Sequence, residues 1–453
     1  MGKLFGSSGV RGLVNVALTP QLASKIGSAV IAYSKAKKAV VARDTRVSGW
    51  MLQEALVSGL TAAGANVSLL GVVPTPALAY LTMALGADVG FMLTASHNPP
   101  EYNGIKIFSG DTSSYTEQSQ DSVEKIIINN SCTLVDWQSI GKTRNIDVSY
   151  AYIELLKKAA NLRKPWQVLV DVGCGATFNV APVALQALGC KVTALNAHPD
   201  GYFPARKSEP TPESLTDLAR AVKGMGADLG IAFDGDGDRV AFIDEDGVFA
   251  DFDRVLAAYA AHLLKKHGGG KIVTTVEASM CVETMAERYK GKVVERTKVG
   301  DIYVSEAIRR HSAVFGGEPC GAWVHPRFHF CPDGPLSAVL LMQALEEEDK
   351  SLREFIAEVP QYVTLRENII CPNELKYKII TNIEKAIVSK FGSGELSTVD
   401  GVRLTLKNGW LLIRASGTEP LIRLTAEGES LKVAHDIMSK GIELAKTKVG
   451  DVV

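Results

Sequence analysis

The sequence predicts an α/β protein of three related units, followed by a smaller α+β unit. Three observations carry that prediction: strand and helix patterns alternate, one segment recurs at a fixed offset, and the tail changes character.

The alternation begins with Ala39-Val40-Val41-Ala42, an amphipathic stretch from Trp50 to Gly64, and Val67-Ser68-Leu69-Leu70. It returns at Gln167-Val168-Leu169-Val170-Asp171, with a helical pattern over 181–189 and a strand at Val192-Thr193-Ala194-Leu195. It returns again at Lys271-Ile272-Val273-Thr274-Thr275. Strand–helix–strand order calls for parallel sheets covered by helices.

The recurrence is sharper. Leu85-Gly86-Ala87-Asp88-Val89-Gly90-Phe91-Met92-Leu93 is echoed, 140 residues on, by Met225-Gly226-Ala227-Asp228-Leu229-Gly230-Ile231-Ala232-Phe233. Each copy reads as a helix end, a glycine C-cap and a buried strand. Each runs into a polar loop, Thr94-Ala95-Ser96-His97 in one and Asp234-Gly235-Asp236-Gly237-Asp238 in the other. A third strand, Ser312-Ala313-Val314-Phe315, runs into Gly316-Gly317-Glu318-Pro319-Cys320-Gly321. Ligands of open α/β sheets sit beyond the carboxyl ends of the strands, so three units can aim three loops at one cleft.

Beyond Val359-Pro360, strands at 401–406, 410–414 and 422–427 mix with helices over 374–391 and 429–447. Linker patterns near 145–149, 245–250 and 359–366 divide the chain into domains at 1–147, 148–247, 248–362 and 363–453.

The 453 residues suffice for about three or four domains of ordinary size. A balance of 49 basic against 50 acidic residues gives no bulk attraction for nucleic acid or an anionic membrane. An anionic ligand must therefore be held by local constellations. Seven scattered cysteines without a CxxC pair argue against a disulfide framework or a zinc site and fit reduced thiols in a cytoplasm. The N-terminus shows no signal-peptide apolar region, and the apolar stretches are strand-length, so no membrane span is expected.

Asp234, Asp236 and Asp238 stand at i, i+2 and i+4 between glycines, a spacing that lets a tight loop turn three oxygens toward one hard cation. An EF-hand is excluded because its sixth position is Arg239 where glycine is needed, and the flanks read as strands. Mg²⁺ on a strand-to-loop junction is the better reading, with Arg239 beside it as a phosphate donor. Ser96 alone is more often a turn residue or helix cap than a nucleophile, and no G-x-S-x-G elbow surrounds it. Its context adds His97, the rigid Asn98-Pro99-Pro100, and Asn103-Gly104-Ile105-Lys106.

Arg414-Ala415-Ser416-Gly417-Thr418-Glu419-Pro420, with Arg423 beyond, reads as an anion cradle or as an ordinary Ser-Gly turn. Glu318 in its glycine-rich loop can accept sugar hydroxyls or sit in a plain turn. Arg11, Lys298 and Asp301 are not decided by their own loops. His198, His267, His311, His325 and His329 show no metal spacing.

Together these motifs resemble the α-D-phosphohexomutase superfamily, in family order and across almost the whole chain. The resemblance implies three related α/β units with mixed sheets, plus a C-terminal α+β domain, around a central cleft. It implies phosphoserine at Ser96, Mg²⁺ held by Ser96, Asp234, Asp236 and Asp238, and catalytic roles for Arg11, His97 and Lys106. Lys106 or His97 would move the hydroxyl proton, with Lys106 favoured. Substrate contacts would come from Arg239, Lys298, Asp301, Glu318 and Cys320, with Arg414, Ser416, Gly417, Thr418 and Arg423 on the non-reacting phosphate. Within the superfamily, Asp234–Arg239, Lys298–Asp301 and Ser416–Pro420 resemble phosphoglucosamine mutases. The sugar loop departs from the usual Gly-Glu-x-Ser-Gly-His, since Cys320 and Ala322 replace the serine and histidine, and it looks like the archaeal form.

The implied reaction interconverts a hexose 6-phosphate and a hexose 1-phosphate, glucosamine phosphate first. A phosphomannomutase/phosphoglucomutase and, more distantly, a Mg²⁺-dependent sugar phosphatase are the alternatives. A bisphosphorylated hexose is the expected activator, and a monomer or homodimer the expected state.

Overall fold

The computed structural model describes residues 4–6, 8–147, 149–416 and 420–450. Four sheets follow one another along the chain. The first contains β1 (Val10–Leu13), β2 (Lys38–Arg43), β3 (Asn66–Val72), β4 (Val89–Leu93), β5 (Tyr102–Ser109) and β6 (Thr143–Asn145), in the order β1-β5-β4-β2-β3-β6. The second contains β7 (Gln167–Asp171), β8 (Lys191–Leu195), β9 (Leu229–Phe233) and β10 (Val240–Ile243), in the order β10-β9-β7-β8. The third contains β11 (Gly270–Thr275), β12 (Gly291–Thr297), β13 (Phe315–Gly317) and β14 (Trp323–Val324), in the order β12-β11-β13-β14.

The three share one plan. A central parallel set, β3-β2-β4, β8-β7-β9 or β12-β11-β13, is closed on one side by an antiparallel return strand. The sheets are therefore mixed, where strand–helix alternation alone predicts parallel ones. The return strands escape that pattern because a hairpin needs no crossover helix. Each return begins after a polar loop: 94–101 between β4 and β5, 234–239 between β9 and β10, and 318–322 between β13 and β14. The 140-residue echo is thus a topological equivalence.

Two local expectations are corrected. Ser312 does not begin a strand but ends the helix Asp301–His311, in left-handed backbone at φ 52°. The strand is β13, and it takes up Gly316 and Gly317, which the sequence pattern assigns to the loop. The fourth sheet is wholly antiparallel: β15 (Val363–Ile370), β16 (Glu395–Ser397), β17 (Val402–Leu406), β18 (Gly409–Ala415) and β19 (Leu421–Gly428), ordered β15-β19-β18-β17-β16. β15 starts inside the stretch 359–366 read as a linker. Its charged, largely exposed Arg366-Glu367-Asn368 hides the strand pattern.

The fourth unit buries its own core, with Ile379, Ile383 and Ile387 of the helix Lys376–Phe391 packed on Leu404, Leu411 and Ile413. By contrast, one continuous core joins units two and three and reaches one face of unit one. The apolar joint between units three and four is small: Val276, Trp410 and Leu412, flanked by Met280 and Val299. No helix among the described residues is long and apolar enough to cross a membrane.

Candidate active site

The loops after β4 and β9 meet face to face. Ser96, fully buried and in left-handed backbone at φ 52°, donates from Oγ to Asp234 Oδ2 at 2.6 Å. Gly235 permits the approach: a Cβ there would stand 2.6 Å from Ser96 O and 2.5 Å from Ser208 Oγ.

What holds Ser96 in that backbone is a buried guanidinium that the sequence reading did not single out. Arg46 donates to Ser96 O (2.9 Å), Asn98 O (2.6 Å), Pro99 O (2.6 Å) and Tyr102 O (2.8 Å). Its Nε pairs with Asp44 Oδ2 at 3.0 Å, and Asp44 also accepts from Thr94 Oγ1, which in turn accepts from Ser96 N. Four carbonyls gathered on one buried cation fix the loop as a rigid body. The only sequence signal is an Asp-x-Arg directly after β2, which has no meaning until the sheet places it beside β4.

Asp234, Asp236 and Asp238 are all buried, and one oxygen from each lies within 4.8 Å of the others. Asp234 Oδ1 accepts from Gly237 N and Arg239 N, which shapes the loop. Thr75, another residue missed in the sequence, donates to Asp236 from both N and Oγ1. Lys106, reaching from β5, bridges Asp236 Oδ2 at 2.7 Å and Asp238 Oδ2 at 2.5 Å. Asp236 Oδ1 and Asp238 Oδ1 are buried without hydrogen-bond partners. Three buried carboxylates against one ammonium, two of them with an orphaned oxygen, are a donor set suited to a hard divalent cation.

The charges respond to this crowding. Burial pushes the Asp234 carboxyl well above the ordinary range, and Asp238 and Asp236 add to it. Burial works against the Lys106 ammonium, but Asp236 and Asp238 more than offset it and hold it protonated above the usual lysine value. His97, with Nδ1 3.3 Å from Ser96 Oγ, is pushed down to about 2 by burial and then by Arg239 and Arg11, so its ring is neutral. Arg11 donates to Asn98 Oδ1 at 3.0 Å and keeps a buried Nε without a partner.

The other predicted residues join through neighbouring loops. Arg239 reaches Glu209 Oε1 at 3.3 Å. Val240 N donates to Gly321 O at 3.1 Å, which ties the aspartate hairpin to the Glu318 loop. Glu318 Oε2 accepts from Gly300 N at 2.9 Å; burial and then Asp301 push its carboxyl up to about 7. Cys320 is a neutral thiol, pushed up to about 12 by burial. Asp301 accepts from Ser8 Oγ at 2.8 Å and Ser114 Oγ at 3.2 Å, binding unit three to unit one. Lys298 turns aside: its Nζ lies 3.6 Å from Glu117 and over the Tyr303 ring.

In unit four, Arg414 and Arg423 are register partners on β18 and β19. Two arginines directly opposite one another repel unless an anion lies between or beside them. Ser416, buried at the end of β18, accepts at its carbonyl from Lys376 Nζ. Gly417 and Thr418 lie outside the described residues. Val299 N donates to Asp400 Oδ2, which also pairs with Arg414, so Arg414 is linked to the Lys298–Asp301 loop.

A buried serine, a carboxylate triad, a buried glutamate loop and an arginine pair, one on each of four consecutive units, are the layout of a phosphohexomutase, and the chain belongs to the phosphoglucomutase/phosphomannomutase family. It matches that family's alpha/beta/alpha domain I over residues 2–133, domain II over 150–247, domain III over 251–362 and C-terminal domain over 367–443. Among curated relatives, the Probable phosphoglucosamine mutase of Methanopyrus kandleri is 43% identical, with 100% of each chain covered. That of Pyrococcus horikoshii is 40% identical over 100% of both. The crystal structure of a phosphoglucomutase/phosphomannomutase family protein from Burkholderia thailandensis superposes with a TM-score of 0.85 at 28% identity, covering 98% of this chain and 97% of that one.

Proposed function

We propose that this chain interconverts glucosamine 6-phosphate and glucosamine 1-phosphate, carrying a phosphoryl group on Ser96 through a bisphosphorylated sugar. The observation that carries this reading is the Ser96 hydroxyl set 2.6 Å from Asp234 in a buried, rigidly clamped loop. Full-length identity of about 40% to relatives named for that mutase supports the choice of sugar.

Ser96, Asp234, Asp236 and Asp238 would hold Mg²⁺, which when bound supplies positive charge beside the transferring phosphoryl group. Lys106 keeps its proton and adds a second positive charge at the same place. Arg11 and Arg239 offer guanidinium donors to the phosphoryl oxygens. In the forward step the P–O bond to Ser96 Oγ breaks as a P–O bond to the sugar hydroxyl forms. We assign the hydroxyl's proton to His97, which passes it to the departing Ser96 oxygen 3.3 Å from its Nδ1. A phosphoryl group on Ser96 carries about −1.5 to −2 charge, which opposes the arginines that, after burial, keep His97 from accepting a proton. Glu318 accepts sugar hydroxyls, and Arg414 with Arg423 holds the phosphate that is not reacting. A bisphosphorylated hexose restores any Ser96 that has lost its phosphate.

A coupled assay comparing glucosamine, mannose and glucose 6-phosphates, each with a trace of the matching bisphosphate, tests the reading. Glucosamine 6-phosphate should give the highest kcat/KM. Release of inorganic phosphate in step with substrate loss would identify a phosphatase instead, and normal mutase turnover by Ser96→Ala would end the mechanism.

A further inference from the structure

Arg414 already holds two carboxylates. Its Nη1 donates to Glu277 and its Nη2 to Asp400 Oδ2 at 3.0 Å, while its Nε is buried without a partner. The two acids come from different places. Asp400 belongs to unit four, just ahead of β17. Glu277 reaches across from unit three, two residues past β11. Glu277 and Arg414 share the wall of a 280 Å³ cavity with Pro319, Arg366 and Arg423. Their side chains keep 37% and 21% exposure, so a dissolved anion can reach the pair.

We propose that Glu277 is an exchange partner for Arg414: a carboxylate that occupies the arginine between phosphates and competes with the substrate for it. The inference rests on the reading that Arg414 belongs to the phosphate cradle. A guanidinium presents a planar fork of donors that suits one oxyanion at a time along each edge. Phosphate gripping Arg414 through Nη1 therefore has to displace Glu277. Displacement is what the reaction requires of this loop. The bisphosphorylated intermediate must turn end for end, so the cradle has to let one phosphate go before it takes the other. An acid waiting 'in place' on the opposite wall neutralises the vacated arginine, which also relieves its repulsion from Arg423. Glu277 thereby weakens phosphate binding and quickens its release.

The test compares the parent enzyme with Glu277→Gln, Glu277→Asp and Arg414→Ala. The readouts are the inhibition constant of inorganic phosphate against the hexose 6-phosphate, KM and kcat, with thermal melting to show that each variant is folded. Glu277→Gln should lower the phosphate inhibition constant about two- to fivefold, the range for loss of one partly exposed ion pair, and lower KM with it. Its kcat should not rise. Glu277→Asp, which keeps the charge, should stay closer to the parent. An inhibition constant unchanged or raised in Glu277→Gln overturns the exchange role and leaves Glu277 as a structural tie between the two units. If Arg414→Ala leaves phosphate inhibition untouched, the cradle reading itself fails, a result distinct from failure of the exchange.

Discussion

Ser96 Oγ and Asp234 Oδ2 lie 2.6 Å apart although 138 residues separate them in the chain. The contact joins the equivalent loops of two equivalent sheets, so Ser96 and the first of the three carboxylates are placed by one repeated piece of topology.

Asp234→Asn keeps the shape of that contact and removes a negative charge from the triad. The Mg²⁺ concentration for half-maximal activity should rise by about tenfold or more, since the number of charged ligands sets affinity for a hard cation. Chelation of the parent protein should abolish turnover reversibly. Activity measured against free Mg²⁺ checks both.

Arg46→Lys retains the charge and loses the fork that gathers four carbonyls. Loosening the Ser96 loop by about an ångström should cost roughly 100-fold in kcat with KM little changed. A matched fall in kcat and rise in KM would show instead that Arg46 supports the substrate site generally. Steady-state kinetics on folded variant protein separates the two.

Gly235→Ala places a methyl group against Ser96 O and Ser208 Oγ. Overpacking of this kind costs about 1–3 kcal/mol, so melting should occur several degrees lower and turnover should fall with it. Gly224→Ala, whose Cβ would meet nothing within 4 Å, controls for the substitution without the collision.

Asp253 provides a pH test away from the reacting groups. Burial, then Asp251, raises its carboxyl to about 7. A carboxyl that binds its proton more tightly folded than unfolded loses stability as pH rises from about 4 through the folded value. Asp253→Asn can still accept from Ser279 N, as Asp253 Oδ1 does at 2.7 Å, and escapes that penalty. Its melting temperature should gain on the parent between pH 5 and pH 8, by an amount equivalent to roughly 1–3 kcal/mol. A constant difference across that range would show that Asp253 does not titrate there.

The α/β class and the paired loops were legible because hydrophobic strands and glycine caps write themselves into consecutive residues. Asp234, Asp236 and Asp238 stand out for the same reason. Arg46, Thr75 and Ser208, whose hydroxyl donates to Ser96 O at 3.0 Å, were not legible, because each acts on a loop far along the chain and only the folded sheets bring them together. The return strands β5, β10 and β14 were hidden by their lack of a helix, and β15 by its charged surface. The side-chain neighbours of the motif lysine Lys298, Glu117 and the Tyr303 ring, were likewise not legible, since they come from other elements.

The unequal joints between the units have a mechanical consequence. Serine and carboxylates sit in a frame stiffened by one shared core, whereas the fourth unit is attached through a patch of a few apolar side chains and a handful of polar ties. Compliance is therefore concentrated at one seam. In the mechanism proposed above, a sugar is gripped, freed and gripped again by the soft end of the molecule without transmitting strain to the stiff end, where the phosphoryl group has to stay aligned through every turn.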